Sequence, residues 1–208
     1  MIKYILFDLG GVIINLTVFD RLSEITGIED RQEVINYWTS LKSVADYETG
    51  KMSDTDFLRQ LKKDLGYSRS ERELHEEFRL WCHSVNIQAH NFTIEMIGQY
   101  RIGIFSNTNP IHHKRLNEIW NTENLQIDAF MSYQIGLMKP NDEAFEYVVR
   151  KLGIAKNEIL FIGDSQKNVE SAVRNGLNAY LFKNNEDLEI IKNLLYQQKK
   201  FGETNTTV

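Results

Sequence analysis

The feature that most constrains the fold is an apolar run near the N-terminus, ILFDLGGVII at residues 5–14, which a single acid interrupts. A run of this kind is typical of a strand that is buried on both faces of a parallel sheet. Asp8 ends the strand pattern, and Gly10 and Gly11 then turn the chain. Open α/β sheets hold their functional groups at the carboxyl ends of their strands, so Asp8 lies where a functional carboxylate is expected. Taken alone, the pattern also fits an ordinary strand and turn.

Three later strand ends each provide a group that suits a phosphate or a metal ion. Ser106 follows IGIF, Lys139 stands in LMKP, and Asp164 follows EILFIG. With Asp8, the order along the chain is acid, hydroxyl, lysine, acid. Because parallel strands end at one edge of a sheet, this order predicts that the four groups belong to one site.

Apolar periodicity predicts an α/β fold with a helical insert. Residues 16–85 show no strand-like alternation and carry the start and stop signals of about four helices. These signals are Gly27, Asp30 with Glu33, Ser53 with Asp56, Gly66, and Ser70 with Glu73. From residue 92 onward, helices alternate with strands at 102–106, near 129–132, at 159–163 and at 179–182. This alternation predicts a parallel sheet that helices cover on both faces.

Composition fits a soluble enzyme with one main core. The 208 residues are 42% hydrophobic and 25% charged, and a chain of this size buries about 70% of its unfolded surface. The net charge of −5, without a basic patch, disfavours nucleic acid and anionic membranes as partners. The single cysteine, Cys82, forms no intramolecular disulfide, and no apolar stretch suits a signal peptide or a membrane span. The expected location is the cytoplasm.

Four motifs in this order resemble the haloacid dehalogenase (HAD) superfamily, whose phosphatases use an aspartate nucleophile. They are FDLGGVIIN at 7–15, FSNTN at 105–109, MKP at 138–140 and FIGDSQKN at 161–168. In detail they are most similar to the α-glucose-1-phosphate phosphatase-like branch of small sugar phosphatases. The resemblance implies a Rossmann-like core at residues 1–15 and 86–200 and an inserted helical cap at residues 16–85. Residues 201–208 are expected to form a flexible tail.

The resemblance implies a magnesium-dependent phosphatase that acts on small phosphorylated substrates, expected to be sugar phosphates, through an aspartyl-phosphate on Asp8. A doubly anionic monoester accepts a carboxylate nucleophile only where cations neutralise the site. Asp8 and Asp164 offer oxygen ligands that suit Mg²⁺, and no histidine or cysteine cluster accompanies them. In the family the third protein ligand is a backbone carbonyl, which here belongs to Gly10. Lys139 adds a fixed positive charge beside the phosphoryl oxygens.

The remaining members of the predicted phosphate-binding set are polar and turn residues near those ligands. The Ser106 hydroxyl and the amide of Asn107 offer hydrogen bonds to phosphoryl oxygens. Gly10 and Gly11 form the turn behind the nucleophile. We therefore expect Ser106, Asn107, Lys139, Gly10 and Gly11 to contact the phosphate.

One departure from the family pattern affects the chemistry. Most phosphatases of the superfamily carry a second aspartate two residues after the nucleophile, where this chain has Gly10. General acid–base assistance contributes roughly 10²- to 10⁴-fold, so its loss is expected to slow esters with poor leaving groups. His112 is the candidate replacement, because it follows the second motif closely and ordinarily titrates near neutrality. The alternative is that His112 and His113 lie on the first turn of a surface helix.

The sequence is compatible with two further functions. Another HAD chemistry, such as dehalogenation, is disfavoured because Asp164 is present and that branch lacks the metal-binding acid. A regulatory protein that binds a phosphorylated ligand without turnover stays possible because of Gly10. In the insert, YETGKMS at residues 47–53 reads as a turn between helices, which the resemblance places over the active site. Trp38, Tyr47 and Trp81 are expected to form the core of the cap, and the alternative is that they stack on a sugar ring.

Overall fold

The computed structural model describes residues 1–120, 125 and 127–204, with only the backbone given for residues 199–204. Seven strands lie in this part of the chain: β1 Tyr4–Phe7, β2 Ile14–Leu16, β3 Cys82–Val85, β4 Arg101–Ser106, β5 Ile127–Met131, β6 Ile159–Gly163 and β7 Asn178–Leu181. The helices up to the second motif are α1 Val18–Thr26, α2 Arg31–Ser40, α3 Lys42–Glu48, α4 Asp54–Asp64, α5 Glu71–Arg79 and α6 Ile87–Met96. Those after it are α7 Pro110–Ile119, α8 Ser132–Ile135, α9 Asp142–Leu152, α10 Gln166–Arg174 and α11 Glu186–Thr204.

Five of the strands form a parallel sheet in the order β5-β4-β1-β6-β7, with β1 in the centre. Alternate residues of β1 enter two different apolar clusters, Tyr4 and Leu6 on one face and Ile5 and Phe7 on the other. The strand is fully buried because helices cover both faces of the sheet. The predicted α/β fold with a Rossmann-like core is confirmed.

Helices α1 to α5 pack around an apolar cluster of their own. Its buried members lie between Val18 and Trp81, and one residue of the core, Ile111 on α7, joins them. Trp38, Tyr47 and Trp81 are among these buried residues. The proposed division of the chain into a core and a cap rests on this separate cluster.

The expected helix ends occur where the sequence places them. Gly27 ends α1 in the left-handed conformation, with φ of 74°, and Ser70 with Glu73 forms a complete capping box at the start of α5. The side chains of Asp30 and Ser53 cap α2 and α4. Each of these caps satisfies backbone N–H or C=O groups that a helix end leaves without a partner.

Two elements of residues 16–85 were not expected. Helix α3 follows α2 after Leu41 alone, whose extended backbone breaks the helix without a glycine or a proline. The prediction that residues 16–85 lack strands is wrong, because β3 pairs with β2 in an antiparallel ribbon. This ribbon lies where the chain enters and leaves the cap.

The last element of the fold is the long C-terminal helix α11. Helix α11 extends to Thr204, into the segment expected to be a flexible tail, and residues 205–208 lie outside the described residues. Within the described part of the chain, every helix is too short or too polar to cross a membrane.

Candidate active site

The candidate site lies at the carboxyl edge of the sheet, around its central strand. Asp8 directly follows β1, Ser106 ends β4, and Asp164 directly follows β6. Strands β4 and β6 flank β1 on either side, so these side chains leave the sheet at neighbouring positions. The expectation that Lys139 follows a strand end is wrong, because Lys139 lies in the loop between α8 and α9. In this sheet the strand order runs outward from β1 in both directions. Open α/β sheets usually bind their ligands in the crevice at such a point, beside the carboxyl ends of the strands.

Asp8 is held as a buried carboxylate with defined partners. Its residue is 6% exposed, and its Oδ1 accepts a hydrogen bond of 2.8 Å from the backbone N–H of Leu9. Its Oδ2 lies 2.5 Å from the Lys139 ammonium nitrogen and 3.5 Å from the Asn168 amide nitrogen. These contacts fix the orientation of the carboxylate at the end of β1.

Lys139 carries a positive charge into the interior of the protein. The residue is 1% exposed, and besides Asp8 its ammonium group donates a 2.6 Å hydrogen bond to the carbonyl of Phe105. The rings of Phe105 and Phe161 lie 5.1 and 5.3 Å from the same nitrogen. A buried charge is stable only where such partners compensate for lost water. The ammonium group is therefore a fixed cation beside Asp8.

Asn107 holds the Lys139 loop rather than offering its side chain to a ligand. Its Oδ1 accepts from the Lys139 backbone N–H at 2.9 Å, and its Nδ2 donates to the Lys139 carbonyl at 2.8 Å. A contact between Asn107 and a phosphate would therefore come from its backbone N–H. Ser106 is 3% exposed, and its hydroxyl lies 3.3 Å from the Asn107 carbonyl.

The Asp164 carboxylate packs directly against the backbone of Gly11, in the turn after β1. A methyl group added at Gly11, whose φ is +73°, would lie 2.0 Å from Asp164 Oδ2. Gly11 thus permits both the left-handed turn and the approach of the carboxylate. Crowding by protein atoms, with the negative charge of Asp8, raises the pKa of Asp164 to about 6, while Lys139 opposes this rise. Its carboxyl is crowded although the residue as a whole is exposed.

The donor set of this site fits a hard divalent cation. Asp8 and Asp164 repel each other when both are ionised, and a cation between them would relieve that repulsion. The carbonyl of Gly10, in the same turn, could supply a third oxygen. The described residues contain no group of three or more His, Cys, Asp or Glu side chains suited to a metal. Magnesium matches such a sparse set, because it keeps several waters and needs only one or two carboxylates.

The side chain of His112, on α7 of the core, contacts Phe78 on α5 of the cap. Its Nε2 lies 2.8 Å from the carbonyl of Phe78 on α5, and its ring stacks on the Phe78 ring at 4.1 Å. Its Nδ1 lies 3.1 Å from the Asn109 side-chain amide, whose oxygen accepts the His112 backbone N–H. Nδ1 therefore accepts from the amide, and Nε2 carries the proton that it donates to Phe78. Burial lowers the pKa of His112 to about 4.

These contacts do not support the expected catalytic role of His112, because neither ring nitrogen is left for a substrate. His113 is also not a surface residue, since it is half-buried. Its Nδ1 lies 2.7 Å from the Tyr133 hydroxyl, and burial lowers its pKa. The alternative placed both histidines on the first turn of a surface helix. Both do lie on the first turn of α7, but this turn faces the cap and α8.

A carboxyl group that the sequence reasoning did not select comes from the cap. Glu48 is the last residue of α3, and burial raises its pKa to about 7, while the charge of Lys139 acts in the opposite direction. Helix α3 packs against α8, the helix that precedes the Lys139 loop, so Glu48 at its end lies where the cap meets the core. The available sequence signal was its position in YETGKMS, the segment that the resemblance places over the active site.

The site can be compared with known proteins. A sequence model of the family described as haloacid dehalogenase-like hydrolase matches residues 2–176. The chain is 24% identical over 198 residues to the D-ribitol-5-phosphate phosphatase of Bacteroides thetaiotaomicron, covering 90% of this chain and 95% of that protein. It is 27% identical over 180 residues to the sesquiterpene phosphatase astK of Aspergillus oryzae, covering 84% and 87%.

A solved structure shows the same fold. It is a HAD family enzyme from Bacteroides thetaiotaomicron in complex with magnesium and inorganic phosphate. It matches with a TM-score of 0.73 and 24% identity, covering 88% of this chain and 95% of that one. The similarity therefore extends over both the sheet and the helical insert.

Proposed function

Because the chain belongs to the haloacid dehalogenase-like hydrolase family, we propose that it is a magnesium-dependent phosphatase of small phosphate monoesters, with sugar phosphates as the expected substrates. The observation that carries the proposal is the buried Asp8–Lys139 pair with Asp164 beside it. This set combines a carboxylate nucleophile, a fixed cation and a second carboxylate for a metal. The two similar proteins named above, a D-ribitol-5-phosphate phosphatase and a sesquiterpene phosphatase, support the same class of reaction.

In the proposed reaction, an oxygen of Asp8 attacks phosphorus and the bond from phosphorus to the leaving oxygen breaks. Lys139, the Ser106 hydroxyl and the Asn107 backbone N–H hold the phosphoryl oxygens during this transfer. Water then attacks phosphorus and releases both phosphate and the Asp8 carboxylate. Asp8, Asp164 and the Gly10 carbonyl would hold magnesium, which supplies further positive charge to the phosphoryl group.

The two alternatives receive less support from the site. Dehalogenation does not call for a divalent cation, whereas Asp164 lies against the Gly11 turn beside Asp8. A binding protein without turnover does not need a carboxylate aligned as a nucleophile, whereas Asp8 is oriented by Leu9 and Lys139.

The test is phosphate release from a panel of monoesters with magnesium and with a chelator present. Wild-type protein should release phosphate only with magnesium, and Asp8→Asn should abolish release while keeping the fold, because an amide is not a nucleophile. Halide release from haloacids, or binding of phosphorylated sugars without turnover, would favour one of the alternatives. Full activity of Asp8→Asn would refute the proposed mechanism.

A further inference from the structure

Transfer of a phosphoryl group from an alkyl ester needs a proton for the departing oxygen. In the core, Asp8 and Asp164 are assigned to the nucleophile and the metal, and Lys139 to the phosphoryl charge. Gly10 has no side chain, and the His112 ring is fully engaged by Phe78 and Asn109. None of these described core groups is left to supply the proton.

Glu48 lies on a part of the cap that is fixed against the core. Its neighbour Tyr47 is fully buried, stacks on Phe57 at 4.0 Å, and belongs to the cluster that Ile111 of the core enters. Two residues after Glu48, a methyl group added at Gly50 would lie 2.3 Å from the Tyr133 carbonyl on α8. The chain thus contacts the core on both sides of Glu48. The backbone at Glu48 is therefore held against the core.

The electrostatic surroundings of Glu48 suit proton transfer. Across the described residues, its carboxylate forms no hydrogen bond or ion pair, so nothing in the protein fixes its proton. It stands at the C-terminus of α3, where the helix dipole disfavours a negative charge. Burial raises its pKa to about 7, and the charge of Lys139 limits the rise. Near neutral pH it can therefore both donate and accept a proton, which is what a general acid–base residue requires.

We propose that Glu48 is the general acid–base residue of this site and takes the role for which position 10 offers no carboxyl. This inference rests on the proposed phosphatase function. In the first step, Glu48 gives its proton to the leaving oxygen as that oxygen takes the electron pair of the broken bond. In the second step, the Glu48 carboxylate removes a proton from the water that attacks phosphorus, and the original protonated acid is restored.

The test compares Glu48→Gln with the wild type on an alkyl phosphate and on p-nitrophenyl phosphate, whose leaving group needs no proton. We expect kcat on the alkyl phosphate to fall by roughly 10²- to 10⁴-fold. On p-nitrophenyl phosphate, the first step should stay fast and the second should slow. A burst of about one nitrophenolate per active site and accumulation of phosphorylated enzyme are then expected.

The matched control is Asp46→Asn, which changes the same charge on the same helix, at a carboxylate that is paired with Lys42. It should keep wild-type kcat on both substrates. Glu48→Asp retains a carboxyl group and should show neither a burst nor a strong dependence on the leaving group. This variant keeps the test decisive if Glu48→Gln is unstable.

The other outcomes each overturn the inference. A raised KM with unchanged kcat would mean that Glu48 binds substrate without moving a proton. Equal losses on both substrates without phosphorylated enzyme would mean a structural role, and wild-type behaviour would mean no role. If the wild type itself releases no phosphate from any ester, the proposed function fails and the inference fails with it. An active wild type with an unaffected Glu48→Gln refutes the inference alone.

Discussion

The contact of His112 with the cap predicts a specific dependence of stability on pH. The pKa of the His112 imidazole falls from 6.5 to about 4 in the folded protein, chiefly because the ring is buried. Between these two values the unfolded chain binds a proton that the folded protein does not. The stabilisation is therefore complete above about pH 6.5 and is lost progressively as the pH falls toward 4.

The size of the effect follows from the shift. A change of 2.5 units corresponds to at most about 3.4 kcal/mol, and the part lost between about pH 7.5 and about pH 5 is about 2 kcal/mol. His112→Gln removes the titrating group while its amide can still donate to the Phe78 carbonyl. This variant should lack that part of the pH dependence. It should also keep its phosphatase activity near neutral pH, since His112 is not assigned to catalysis.

Urea unfolding of both proteins at the two pH values measures this difference. The free energy of unfolding of the wild type should fall by about 2 kcal/mol more than that of His112→Gln. His83→Gln, at an exposed position on β3, is the control and should behave like the wild type. If wild type and His112→Gln lose the same free energy, the ring is not held neutral against Phe78. A large fall in kcat for His112→Gln would restore the catalytic hypothesis.

Two further substitutions test the geometry of the site. Gly11→Ala should raise the magnesium concentration needed for half-maximal activity, because its methyl group would displace the Asp164 carboxylate; an unchanged magnesium titration would contradict this placement. Asn107→Ala removes two hydrogen bonds to the Lys139 backbone, and at about 1 kcal/mol each kcat/KM should fall roughly 10- to 100-fold. Steady-state kinetics with unaltered circular dichroism would check the second prediction, and wild-type kcat/KM would refute it.

The sheet could be predicted from the sequence because its signals are local. Each core strand is a short apolar run that ends at a polar group, and Asp8, Ser106 and Asp164 identify the functional edge by position alone. The order of the motifs then brings the three groups together, since neighbouring parallel strands end at one edge. The contact of Lys139 with Asp8 depends instead on the fold of a loop beyond α8, which the sequence pattern had taken for a strand end.

The cap was predicted less completely because its details depend on packing. Leu41 separates α2 from α3 without any residue that ordinarily ends a helix. His112 has the sequence position of a catalytic residue. Only the tertiary structure shows that its ring stacks on Phe78 and hydrogen-bonds to the Phe78 carbonyl. In the sequence, Glu48 is an ordinary helical glutamate. Only the folded structure shows that its carboxyl is buried, which raises its pKa, and that Lys139 opposes this rise. Such assignments require contacts between segments that are distant in sequence.

The central claim is that the phosphoryl group passes through Asp8, and chemical trapping of the enzyme during turnover tests it most directly. Borohydride reduces an aspartyl-phosphate to homoserine, and peptide mass spectrometry then identifies the modified position. Enzyme treated with substrate and magnesium should carry homoserine at residue 8, whereas enzyme without substrate should retain Asp8. Reduction at Asp164, or rapid phosphate release with Asp8 unmodified, would contradict the account.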